Sequence, residues 1–295
     1  MAEIICTTEP KKNIGVSRCD KLPQLFAGMI TTPDNWSIPA ATMNDPALLQ
    51  TYIQNAIRAG IANRVYIWPT FTNCESVSEE SVYEETPLSD IRVRQGKYRW
   101  RAHISKNLCL HKAMFSHSGS DGRVIFFDLA NNFFLTELAN GAGAGFRMSL
   151  INVEKLMISD GSVSTKSPVY IVLKNHLEID EKGLMIPADF VGELIALTDV
   201  EIVLSNVAAG SFTATVRTAC DGTPVSGLLL ADFVVTTNAG AAQAPTTVTE
   251  PVAGSGVYTV SRTGNFVDGF VDLRAASLLT VSAFESVGRV TLDIP

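Results

Sequence analysis

The chain is short of charge, of paired cysteines and of long apolar runs. Only 18% of its 295 residues are charged and 46% are apolar, a balance that excludes a highly charged disordered tail and fits an ordered, β-rich protein. No stretch approaches the roughly 20 uninterrupted apolar residues of a membrane-crossing helix, so no membrane partner is expected. The opening Met-Ala-Glu-Ile-Ile-Cys lacks the basic start and apolar run of a signal peptide, so synthesis in a cytoplasm is expected. Cys6, Cys19, Cys74, Cys109 and Cys220 are odd in number and contain no CxxC; a secreted disulfide framework shows even, clustered spacing, so free thiols are expected. The 23 basic residues face 30 acidic ones, a net charge of -7 that is poorly suited to wrapping nucleic acid.

Further absences divide the chain. The last lysine is Lys182, and neither histidine nor tryptophan occurs after it. From Asp199 onward there are 4 bases and 9 acids, a net -5, against 19 bases and 21 acids, a net -2, in residues 1–198. Such a shift marks a domain boundary between Gly183 and Asp199, giving an N-terminal part, 1–198, and a C-terminal part, 199–295.

The N-terminal part reads as mainly β with one or two helices. Asp45 as N-cap, Pro46 at the first helical position and a stripe of Leu49, Tyr52, Ile53, Ala56 and Ile57 predict a helix that stops near Gly60. Arg64–Phe71, Lys97–Ile104, Phe146–Ile158 and Val169–Leu173 read as strands, and Asn107–Ser116 as a short helix. Asp121-Gly122 reads as a hairpin turn before Val124–Phe127, and Gly141–Gly145 as a flexible tip. The C-terminal part predicts strands at Val200–Val207, Ser211–Thr218, Leu228–Thr237, Gly256–Arg262, Phe266–Leu273 and Arg289–Ile294. Many short alternating strands parted by Gly turns fit a β-sandwich.

His103, Cys109, His111, His117 and Asp121 are the residues best suited to catalysis or metal binding. Their spacing supports neither: Cys109 and His111 would point about 200° apart on a helix, and no HExxH or CxxC is present. Gly141-Ala-Gly-Ala-Gly145 lacks the GxGxxG spacing of a dinucleotide loop, and neither GxSxG nor GxxxxGK[ST] occurs. No enzyme, cofactor or metal is expected.

Charge patterning marks the candidate site. Glu75, Glu79, Glu80, Glu84 and Glu85 form an acidic loop or hairpin arm, followed by Arg92, Arg94, Lys97, Arg99 and Arg101. An acidic arm of one subunit meeting the basic strand of the next would give head-to-tail contacts, which close into rings or extend as tubes. The other reading of the acidic run is a negative lining that keeps DNA from sticking.

Asp221-Gly-Thr-Pro-Val-Ser-Gly227, Ala231-Asp-Phe-Val-Val235 and Gly256-Val-Tyr-Thr-Val-Ser261 resemble bacterial immunoglobulin-like repeats. The resemblance implies a turn entering a strand at Asp221, and a late strand whose Tyr258 packs inside the sandwich. The N-terminal order of acidic arm, strand (Gly96–Ile104), short helix and strands ending in Pro168–Leu173 is similar to the β-sandwich-plus-helix domain of phage tail tube proteins. That resemblance implies a virion tail protein: a ring-forming domain, an immunoglobulin-like domain decorating the exterior, transient passage of DNA and contact with other virion proteins, with host glycans as a further partner of the outer domain. A capsid, neck or head-decoration protein, and an immunoglobulin-like adhesin or carbohydrate-binding module, are the alternatives.

Overall fold

A computed structural model describes residues 23–85, 90–161, 164–279 and 283–295. The protein is mainly β and divides into two compact units, the second made of Ile195–Pro295 together with the short segment Arg58–Gly60.

The first unit contains, in chain order, β1 (Phe26–Thr32), α1 (Ala40–Met43), α2 (Pro46–Ile57), β2 (Tyr66–Ile67), β3 (Asn73–Ser76), β4 (Val82–Glu85), β5 (Asp90–Arg94), β6 (Arg99–Ile104), α3 (Leu108–Phe115), β7 (Gly122–Asp128), β8 (Asn132–Glu137), β9 (Gly143–Ala144), β10 (Phe146–Val153), β11 (Ser167–Leu173), α4 (Leu177–Asp180) and β12 (Gly183–Pro187). One or two helices were expected; four occur among the described residues, two of them single turns without a hydrophobic repeat to announce them. The two longer helices start where their caps predict. Asp45 Oδ1 accepts from Ala47 N at 3.0 Å and Leu48 N at 3.2 Å, and Asn107 Oδ1 accepts from Leu110 N at 2.9 Å. Leu49, Ile53, Ala56 and Ile57 of α2 are buried, each large side chain contributing roughly 1.5–3 kcal/mol.

The strands close into a barrel. β7 pairs with β10, β10 with β11, β11 with β6 and β6 with β3, all antiparallel. The run from β2 to β3 then crosses to β1, through Trp68 N donating to Met29 O (3.0 Å) and Phe71 N to Ala27 O (2.7 Å), and β1 pairs back onto β7. Phe26, Met29, Trp68, Phe71, Ala102, Ile104, Val124, Phe126, Phe146, Met148, Ile151 and Val153 share one core. Phe26 stacks on Phe126 at 4.4 Å between ring centroids. Met148 and Ile151 both belong to this core because the β10–β11 register shifts between Met148 and Leu150, so strict alternation fails there. β8, β9 and β12 extend the sheet beyond β7.

Three local readings are corrected. Arg64–Phe71 contributes only the two-residue β2, because Pro69 cannot donate to a ladder. Asp121-Gly122 opens β7 after α3 and is no hairpin turn; β7 turns into β8 after Asp128, whose Oδ1 accepts from Ala130 N and Asn132 N, both at 2.9 Å. The segment Gly141–Gly145 is not an open tip: Gly143 pairs with Glu137 and bridges Ile38, and Ala144 is fully buried. A Cβ on Gly143 would overlap Met43 Sδ and lie 2.9 Å from Leu135 Cδ1, so a larger residue would make both side chains shift.

The second unit contains β13 (Thr198–Ala208), β14 (Ser211–Thr218), β15 (Phe233–Thr237), β16 (Thr247–Thr249), β17 (Val257–Ser261), β18 (Gly269–Leu273), β19 (Phe284–Ser286) and β20 (Val290–Leu292). They form two sheets, β16-β17-β14-β13-β19 and β15-β18-β20, over a shared core that includes Val200, Phe212, Val216, Phe233, Tyr258, Phe266 and Val271. This is a β-sandwich, with Phe212, Ala214 and Val216 alternating inward along β14. Tyr258 is fully buried. Its hydroxyl donates to Val225 O at 2.7 Å and accepts from Leu228 N at 3.2 Å, tying an irregular segment to the core. Gln243 plays a similar part: its side-chain amide exchanges two hydrogen bonds with the backbone of Val267.

The expectation of free thiols is corrected. Cys74 is free and buried, but Cys109 and Cys220 are disulfide-bonded. Linear spacing hides such pairing, because the bond depends on which distant segments the fold brings together. Cys6 and Cys19 lie outside the described residues.

Candidate functional site

The acidic run and the basic run are the two strands of one long hairpin. β3 pairs with β6, placing Glu75 opposite Arg101. The ladder continues past β3, with Val77 N donating to Arg99 O (2.9 Å) and Glu79 N to Lys97 O (3.2 Å). A Cβ on Gly96 would overlap the Glu79 carbonyl oxygen, so the strands approach closely only because residue 96 is glycine. Beyond this point β4 and β5 pair with each other in a separate two-stranded sheet, Tyr83 opposite Arg92 and Glu84 opposite Ile91. The hairpin therefore roots in the barrel wall and ends in a ribbon. Among the described residues the ribbon has no other strand beside it.

Much of the expected charge complementarity is met inside the chain. Glu79 pairs with Arg99 at 2.5 Å and with Arg94 at 3.5 Å. Glu75 lies 3.9 Å from His103, and Arg101 pairs with Glu154 at 2.7 Å. Adjacent segments of opposite charge form an antiparallel hairpin before they need a second molecule. Glu80 and Glu84 are exposed; the side chains of Glu85 and Arg92 lie outside the described part. The ribbon also exposes apolar groups: Val82 is 45% exposed, Tyr83 57% and Val93 61%.

The histidine-rich stretch is dispersed. His103 is buried on the barrel wall, its Nδ1 without a hydrogen-bond partner, and burial pushes its pKa down, helped by Lys166 and Arg101. His117 sits edge-on to Tyr66 at 4.6 Å, and burial lowers its pKa too. His111 Nδ1 lies 2.9 Å from Ser167 Oγ, and Cys109 is in a disulfide. Among the described residues no group of three or more His, Cys, Asp or Glu side chains could hold a metal ion.

Sequence reasoning missed two features. Arg123 is buried; its Nε donates to Asp34 O at 3.0 Å and its Nη1 to Gly145 O at 2.7 Å, which holds the loop after β1 against the start of β10. Secondly, a pocket of about 360 Å³ lies between α3 and the segment after β10, lined by His111, Lys112, Phe115, Lys155 and Leu156. Phe115 is 54% exposed on the helix. The amphipathic helix was readable, but the partner segment is some forty positions away and only the fold brings the two together. No protein-family model matches the chain, and no curated protein matches it.

Proposed function

We propose that the protein is a self-assembling structural subunit of a virion, most closely suited to a phage tail tube, in which the first unit builds rings and the second decorates their exterior. The observation that carries this reading is the ribbon formed by β4 and β5. A two-stranded ribbon is marginal by itself in water, yet this one also exposes Val82, Tyr83 and Val93. Apolar groups on a projecting arm gain stability by covering themselves against another surface. Stacked rings of such subunits would form a conduit through which DNA passes. Negative-stain microscopy of the purified chain tests the reading: rings or tubes are expected, and a strictly monomeric protein overturns it.

The disulfides at Cys109 and Cys220 favour a second reading, a module displayed on a cell surface, because such bonds persist in oxidising surroundings. Virion surfaces meet the same condition. A monomer that binds polysaccharide would select the display module.

A further inference from the structure

We infer that the ribbon of one copy docks into the pocket beside α3 of another, with Val82 entering the pocket and Glu80 and Glu84, which share its face of the strand, facing Lys112 and Lys155. The inference rests on the assembly reading and supplies its contact. Glu80, Val82 and Glu84 alternate onto one face of the ribbon, and all three are exposed. The pocket presents the complementary set: Phe115 and Leu156 for apolar contact, with Lys112 and Lys155 beside them. The pocket is open to solvent, and its 360 Å³ leaves room for a valine side chain.

The ribbon cannot serve its own pocket. From Arg94, the end of β5, the chain runs on through β6 to Ile104, just before α3, so up to about 33 Å of chain separates the two. Lys155 and Leu156 lie at the α3 end as well, since Val153 pairs with Val169 and Val169 with Ala102. Two complementary surfaces at opposite ends of one body make a heterologous contact, which repeats from copy to copy and closes a ring or extends a filament.

Charge exchange in the full-length protein tests the contact. Sedimentation velocity should show that the pair Glu80→Lys and Glu84→Lys, and separately the pair Lys112→Glu and Lys155→Glu, raises the concentration needed for assembly about tenfold or more. Combining all four substitutions should bring it back to within a few-fold of wild type, with unchanged far-ultraviolet circular dichroism. Pocket variants that assemble like wild type, or a combined variant that shows no recovery, overturn the inference. A photo-crosslinking residue placed at position 82 gives an independent readout: attachment to Phe115 or Leu156 of another copy is expected, and attachment only elsewhere overturns the contact. If microscopy shows assemblies while these variants behave as wild type, the docking inference alone falls. If the wild-type chain stays monomeric at every concentration, the assembly reading falls as well.

Discussion

The two units handle their strands differently. In the second, strands that neighbour in sequence mostly pair as hairpins or face one another across the sandwich, and β13 and β14 share a long antiparallel ladder. In the first, the barrel closes through distant segments, β1 with β7 and β6 with β11, and a charged hairpin extends out of the wall. All four histidines and every lysine belong to the first unit. The difference teaches that the strands of the second unit close over one core, while the first extends a hairpin arm that, among the described residues, has no other strand beside it.

If the units are separate bodies, core truncations should act on one at a time. Phe126→Ala and Phe212→Ala each remove a fully buried ring, at a cost of about 3–5 kcal/mol. Differential scanning calorimetry should show two transitions, each lowered by only one of the substitutions; one shared transition, lowered by both, would break the comparison. Tyr258→Phe comes next. It leaves Val225 O and Leu228 N without their hydroxyl partner, and a loss of about 1–3 kcal/mol confined to the second unit's transition is expected. Gly143→Ala is the counterpart in the first unit, where overpacking against Met43 and Leu135 should cost about 1–3 kcal/mol and leave the sandwich transition in place.

The smallest effect is a pH dependence of the first unit alone. Burial holds His103 and His117 below the usual 6.5, so the unfolded chain takes up protons before the folded one does as pH falls. Their neutral forms therefore contribute stability that is full above about 6.5 and is lost as pH drops from there towards their lowered values. The second unit has no histidine, and hydrogen bonds from Thr218 and Thr223 hold Asp221 below 3.8, so its loss begins only in more acidic solution. Melting at pH 7 and pH 5 should lower the first transition more than the second, and substituting Gln at both histidines should remove that excess.

Local rules made part of this molecule legible. Asp45 and Pro46 announce α2, Asn107 announces α3, and the alternation in Ser211–Thr218 matches β14 end to end. These features depend on neighbours a few residues away. What stayed hidden depends on distant ones. The bulge after Met148 lies where β10 pairs with β11, Gly143 is buried against Met43 and Leu135, and the bonding of Cys109 and Cys220 in disulfides follows no spacing rule. β16 and β19, three residues each, are too short for a pattern to show. At the candidate site the acidic and basic runs were readable as charge. Their pairing, Glu79 with Arg99, needed the hairpin register, and the pocket needed α3 and the segment after β10 side by side.

Hydrogen exchange on the full-length chain, followed from dilute to assembling concentrations, tests most directly whether assembly belongs to the first unit. The amides of β4, β5, Lys112–Phe115 and Lys155–Leu156 should gain protection as the chain assembles, while those from Ile195 onward stay unchanged. Protection that appears instead in the sandwich, with the ribbon as open as in the dilute protein, would contradict it.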